Sequence, residues 1–154
     1  YIAHRYGVRM LGVHVDAGWN TPVSENNIRK LCEKYGIIND AAEVANPKLL
    51  HAKTGAAFAR ELFGIEDDIY GAIRWHTTGK PDMTLLEKII YLADFVEPTR
   101  DFPGVEELRE LCFEDIDAAM AKGLEMSLEF IRSGGAEPYK DSVEACEWYA
   151  ALVD

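Results

Sequence analysis

The 154-residue chain is 48% hydrophobic and has a formal net charge of −11, from 27 acidic and 16 basic residues. That surplus excludes a general nucleic-acid surface, which needs a basic patch, and no run of eighteen apolar residues offers a membrane span. The composition supports one good core in a single domain, and it still allows an anionic small-molecule substrate, because a metal ion and a few arginines can make one pocket positive.

The start, YIAHRYGVRM, lacks the charged-then-apolar order of a signal peptide. Cys32, Cys112 and Cys146 lie far apart with no CxxC spacing. A cytoplasmic protein with reduced thiols serving as small apolar fillers is therefore expected, with one disulfide and a spare cysteine as the alternative.

In chain order, the punctuation is helical. Ser24 leads into ENNIRKLCEKYG, where Ile28, Leu31, Cys32 and Tyr35 recur at spacings of three and four. The pattern predicts a short amphipathic helix stopped at Gly36. IINDAAEVANPK reads as a loop. Leu49 to Phe63 places Leu50, Ala57, Phe58 and Leu62 at helical spacing, with Gly64 as the C-terminal stop. EDDIYGAIRWHT restarts with acids in its first turn, where the helix dipole favours them.

Thr84, in TLLE, predicts a capping box with Glu87. It opens the helix of EKIIYLADFVEP, residues 87–98, which should end ahead of Pro98. Pro103 reads as a first-turn proline ahead of GVEELRELC. EDIDAAMAKGLEMSLEFIRSGG is a longer amphipathic helix with a Gly-Gly exit, and DSVEACEWYAALV a final helix with an Asp141–Glu144 capping box. No stretch alternates apolar and polar for long, and no internal repeat is visible. The expected fold class is an all-α bundle.

Chemistry-bearing residues stand out against this background. Asp94 sits inside the apolar run IIYLADFV, where an unpaired buried carboxylate would cost roughly several kcal/mol and would need a partner. Lys88 lies six positions earlier, about 120° around an ideal helix, and is a poor same-helix partner. His51 falls near the start of one helix and His76 at the end of another. With Asp94 they give two nitrogens and one oxygen, a donor mix suited to zinc, iron or manganese. By spacing alone, ordinary surface histidines and a helix-capping aspartate account for these residues equally well. His14 and Asp16, in LGVHVDAGW, form a short H-x-D that is weak by itself.

AIRWHTTGKPDMTLLEKIIYLADFVEPTRDFPGVEELREL, with NPKLLHAKTGA upstream, closely resembles the core of the YqeK-type HD-domain hydrolases, the symmetrical bis(5′-nucleosyl)-tetraphosphatases. LGVHVDAGW looks like an altered form of that family's adjacent His-Asp doublet, here with Val15 between His14 and Asp16. The resemblance runs from about Tyr6 to Trp148. It implies an HD-domain helical bundle over residues 1–154, lacking the family's N-terminal histidine-bearing helix. It further implies a two-metal centre, of iron with manganese or zinc as substitutes, that cleaves diadenosine tetraphosphate into two ADP.

Carried over, the implied metal ligands are His14, Asp16, His51, His76 and Asp94, with Asp16 bridging. Such metals lower the pKa of bound water and clamp phosphoryl oxygens. Lys88 joins Asp16 as a catalytic candidate. Arg74, Lys80, Arg100 and Arg109 are the candidate phosphate contacts, with Arg100 first for its reach and forked geometry. The implied partner is a dinucleoside polyphosphate, with neither nucleic acid nor membrane involved, and a homodimer is compatible with this reading.

Overall fold

The computed structural model describes residues 22–37, 40–45 and 49–153. The described residues form eight helices and no strand: α1 Pro22–Tyr35, α2 Ala41–Ala45, α3 Leu50–Phe63, α4 Asp67–Trp75, α5 Leu85–Phe95, α6 Val105–Glu114, α7 Ile116–Ser133 and α8 Lys140–Val153. The all-α expectation holds. No described helix is long and apolar enough to cross a membrane.

Most boundaries follow from local chemistry. α1 begins at Pro22, ahead of Ser24, because proline carries helical φ and lacks an amide that the first turn would leave unpaired anyway. Gly64 ends α3 in the left-handed conformation at φ 61°, its amide donating to the Arg60 carbonyl. α4 opens after Glu66 with Asp67 and Asp68 in its first turn. The expected capping box of α5 is complete: the Glu87 amide donates to Thr84 Oγ1 at 3.3 Å, and the Thr84 amide donates to Glu87 Oε2 at 2.7 Å.

Three expectations need correction. The stretch read as a loop holds α2, built on a second reciprocal cap in which the Glu43 amide donates to Asp40 Oδ1 and the Asp40 amide to Glu43 Oε2. Glu43 is buried and ion-paired to Lys53 of α3, so distant contacts stabilise a helix too short to stand alone. Pro103 lies in the turn before α6, not in its first turn, and Gly104 enters that helix at φ 86°. Asp141 does not cap α8, which already starts at Lys140. Its carboxylate lies 3.9 Å from the Arg74 guanidinium instead of closing a box with Glu144.

Two apolar clusters order the bundle. Tyr91, Leu92 and Val96 meet Leu108, Cys112, Ala119, Met120, Leu124, Ala145 and Tyr149 in the larger one, which joins α5 to α8. Ile28, Cys32 and Leu50 form a smaller one between α1 and α3. Cys32 and Cys112 are buried as small fillers, and Cys146 is partly buried. Burial pushes the Cys112 thiol up to about 11, which keeps it protonated and inert.

Asp94 is the fourth correction. The run around it is not uniformly buried: Ile89, Tyr91 and Leu92 point inward, whereas Asp94 is exposed. It forms no hydrogen bond or ion pair with another described residue. Burial therefore does not force a partner on it. The buried acid of α5 is Glu87, neutralised by Lys80 at 3.1 Å and by its cap.

Candidate metal centre

α3 and α4 form an antiparallel hairpin whose facing residues are small. Ala52, Ala56 and Ala59 of α3 and Ala72 of α4 are buried, and Gly55 lies against Ile73. Small residues let the two backbones approach closely, so side chains at the open end of the hairpin can meet. His51, in the first turn of α3, and His76, immediately after α4, occupy that end.

Their Nε2 atoms are 2.8 Å apart, with the rings crossed at 75°. His76 Nδ1 is 2.7 Å from the Ile73 carbonyl oxygen, which can only accept. Nδ1 is therefore the donor, and in the neutral ring the Nε2 lone pair faces His51. Two lone pairs do not face one another at this distance uncompensated, so a proton or a cation lies between them. Thr77 adds a third atom: its Oγ1 is 3.2 Å from His51 Nε2 and 3.3 Å from His76 Nε2.

The turn that carries His76 and Thr77 is fixed from below. The Gly79 amide donates to the Trp75 carbonyl, and Thr78 is buried with its hydroxyl on the Gly79 carbonyl. Gly79 takes φ 68°, and a side chain there would press on Leu124 and Ala145 at 3.3 Å. Asp82 also adopts positive φ, a conformation that short polar side chains tolerate, and its carbonyl accepts from Lys80 Nζ. The Met83 amide donates to the hydroxyl of Tyr149, reaching in from α8.

This donor set fits a divalent transition metal. Two nitrogens bound at about 2.1 Å and at right angles on one ion stand about 3.0 Å apart, close to the observed separation. Anchoring the far ring nitrogen on a carbonyl is the usual way a ligating histidine is oriented. Among the described residues no group of three or more His, Cys, Asp or Glu side chains is already gathered as a metal site, so the pair is the part of the predicted ligand set that the fold brings together. His14 and Asp16 lie outside the described residues.

The candidate cations are employed unequally. Arg109 donates to the carbonyls of Val96, Glu97 and Arg100 and pairs with Glu106, so its guanidinium is taken up by main chain rather than left for phosphate. Lys80 is held by Glu87, and Lys88 by Asp117 of α7 at 2.5 Å. Arg74 stacks over Trp75 and pairs only loosely with Asp141; burial pulls its pKa below the usual arginine range. Arg100 is exposed, with Glu97 at 3.6 Å. Thr77 carries no charge and binds no metal by habit, so residue type alone does not single it out. Its place beside His76 in HTTG is the one signal in the sequence.

An all-helical bundle with two converging imidazoles at the mouth of a helical hairpin defines a class, and comparison with known proteins agrees. Residues 2–99 match the HD domain, and the chain belongs to that family. It is 41% identical over 104 residues to the symmetrical bis(5′-nucleosyl)-tetraphosphatase of Bacillus subtilis, a match covering 67% of this chain and 56% of that protein. It is 47% identical over 97 residues to the protein of the same name from Halalkalibacterium halodurans, covering 62% and 52%. The matches thus span little more than half the length of these relatives. The fold is similar to the crystal structure of a predicted HD superfamily hydrolase involved in NAD metabolism from Clostridium acetobutylicum. That likeness has a TM-score of 0.82 and 30% identity, and covers 98% of this chain and 82% of the other.

Proposed function

We propose that this chain is a metal-dependent hydrolase of dinucleoside polyphosphates that splits diadenosine tetraphosphate symmetrically into two ADP. The observation that carries the reading is the convergence of His51 and His76 through Nε2 at 2.8 Å, with His76 oriented by the Ile73 carbonyl. The likeness to relatives named symmetrical tetraphosphatases supplies the substrate class. His51 and His76 would hold the metal, with Asp94 and Asp16 as its carboxylate ligands and His14 as a further one. Iron is the expected ion. When bound, such a metal supplies Lewis acidity, activating the attacking water and offsetting charge on the phosphoryl oxygens.

The protein's own residues do the rest. The locked turn from Trp75 to Met83 holds the imidazole of His76 without reorganisation as charge develops. Arg74 and Arg100 are the phosphate contacts in this reading, since their carboxylate partners sit loosely at 3.9 and 3.6 Å. A polyphosphate oxygen can displace such a partner and gain a forked contact.

The test is product analysis. The chain is incubated with diadenosine tetraphosphate and ferrous or manganous ion, and nucleotides are separated by anion exchange. ADP as sole product, lost in His76→Ala, is expected. AMP with ATP would overturn symmetric cleavage. Tight nucleotide binding without product in either metal would replace the enzyme with a nucleotide-binding module.

A further inference from the structure

Thr77 Oγ1 completes a triangle with the two imidazole nitrogens, of sides 2.8, 3.2 and 3.3 Å. Donor atoms on one face of an ion's coordination shell stand about 3.0–3.4 Å apart when each is about 2.1 Å from the metal. The hydroxyl therefore faces the same point as both nitrogens. It is held there by its own backbone, one residue after His76 and one before the buried Thr78. Its position depends on the turn and not on a flexible stem.

We propose that Thr77 belongs to the metal-holding face as a third, neutral oxygen donor beside His51 and His76. This rests on the metal reading above and adds a residue that neither charge nor residue type would select. A short β-branched side chain suits the role. Its hydroxyl cannot swing far from the two nitrogens, and it adds no negative charge to a centre that must accept an anionic substrate. Its neutrality also leaves the ion more electrophilic than a carboxylate at the same corner would.

The experiment titrates the chain with cobaltous ion and follows both binding and the visible absorption bands. The variants are Thr77→Val, which keeps shape and removes the oxygen, Thr77→Ser, which keeps the oxygen, and His76→Ala. Removing a group that only supports a metal ligand lowers affinity about ten- to a hundred-fold, and a loss of at least that order is expected for Thr77→Val, which removes a donor. Its cobalt bands should shift, while Thr77→Ser should keep both affinity and spectrum. Parent-like affinity and bands in Thr77→Val, with binding lost in His76→Ala, would overturn the role of Thr77 and leave the metal centre standing. Failure of the parent chain to bind cobalt would overturn both. Circular dichroism on each variant separates these outcomes from unfolding.

Discussion

Gly71 of α4 and Glu87 of α5 are matched by subtraction: a side chain on Gly71 would collide with the Glu87 carboxylate, with even Cδ only 3.3 Å from the added carbon. The absent side chain is what admits a buried acid between two packed helices. Gly71→Ala should therefore destabilise the protein by about 1–3 kcal/mol through overpacking. The double variant Gly71→Ala with Glu87→Ala should recover part of that loss. Urea denaturation of the four members of the cycle measures the coupling, and additive losses would dissociate the two residues.

Arg109 ties the end of α5 to α6 by donating to three carbonyls, those of Val96, Glu97 and Arg100. Arg109→Lys keeps the charge but cannot span three acceptors with one ammonium. A loss of about 2 kcal/mol is expected, in line with hydrogen bonds to charged groups. Amide exchange should accelerate within residues 96–101 more than in α7 or α8.

Asp40 accepts from the Glu43 amide at 2.9 Å and from the Tyr139 hydroxyl at 2.8 Å. The Glu43 amide first, then Tyr139, hold its carboxyl below the usual carboxylate range. A carboxyl with a depressed folded pKa contributes stability above its unfolded value, near 4, and loses it as pH falls through the folded value. Asp40→Asn should therefore be least stable relative to the parent above pH 5, and the gap should narrow towards pH 3. Urea midpoints across that range check the sign, and a gap independent of pH would refute the assignment.

Exposure of Asp94 makes function and stability separable at that position. Asp94→Asn should leave the denaturation midpoint within about 0.5 kcal/mol, as surface substitutions do. Its metal content by elemental analysis should fall sharply, because a neutral amide oxygen is a poorer ligand. Full metal content would remove Asp94 from the ligand set.

Several boundaries were legible where their cause sat within four residues. Thr84 with Glu87 and Gly64 behind Phe63 are complete local devices, so the sequence alone announces them. α2 carries a local cap of its own, Asp40 with Glu43, which the loop reading passed over because five residues are too few without the support of Lys53 and Tyr139. Asp141 was misread because Arg74, remote in sequence, competes for the carboxylate that a local cap would use.

Asp94 is a different lesson. Its neighbours are apolar, and around the helix it stands within about 60° of buried Glu87 and Tyr91, yet it is exposed near the C-terminal end of α5. Neither phase nor hydrophobic content announced that exposure; only the packing of the neighbouring helices decides it. The two histidines were legible as residue types at helix ends, whereas their convergence depends on the small residues that draw α3 and α4 together.

The hydroxyl of Tyr149 on the Met83 amide gives the bundle a direction in time as well as in space. α8 is the last of the described helices to leave a ribosome, and the turn holding His76 and Thr77 waits some seventy residues for its strut. While α8 is still being made, the histidines are present but their platform is unfinished. The histidine corner should therefore mature only after α8 has been made, and cobalt capture by nascent chains would report completion of that helix.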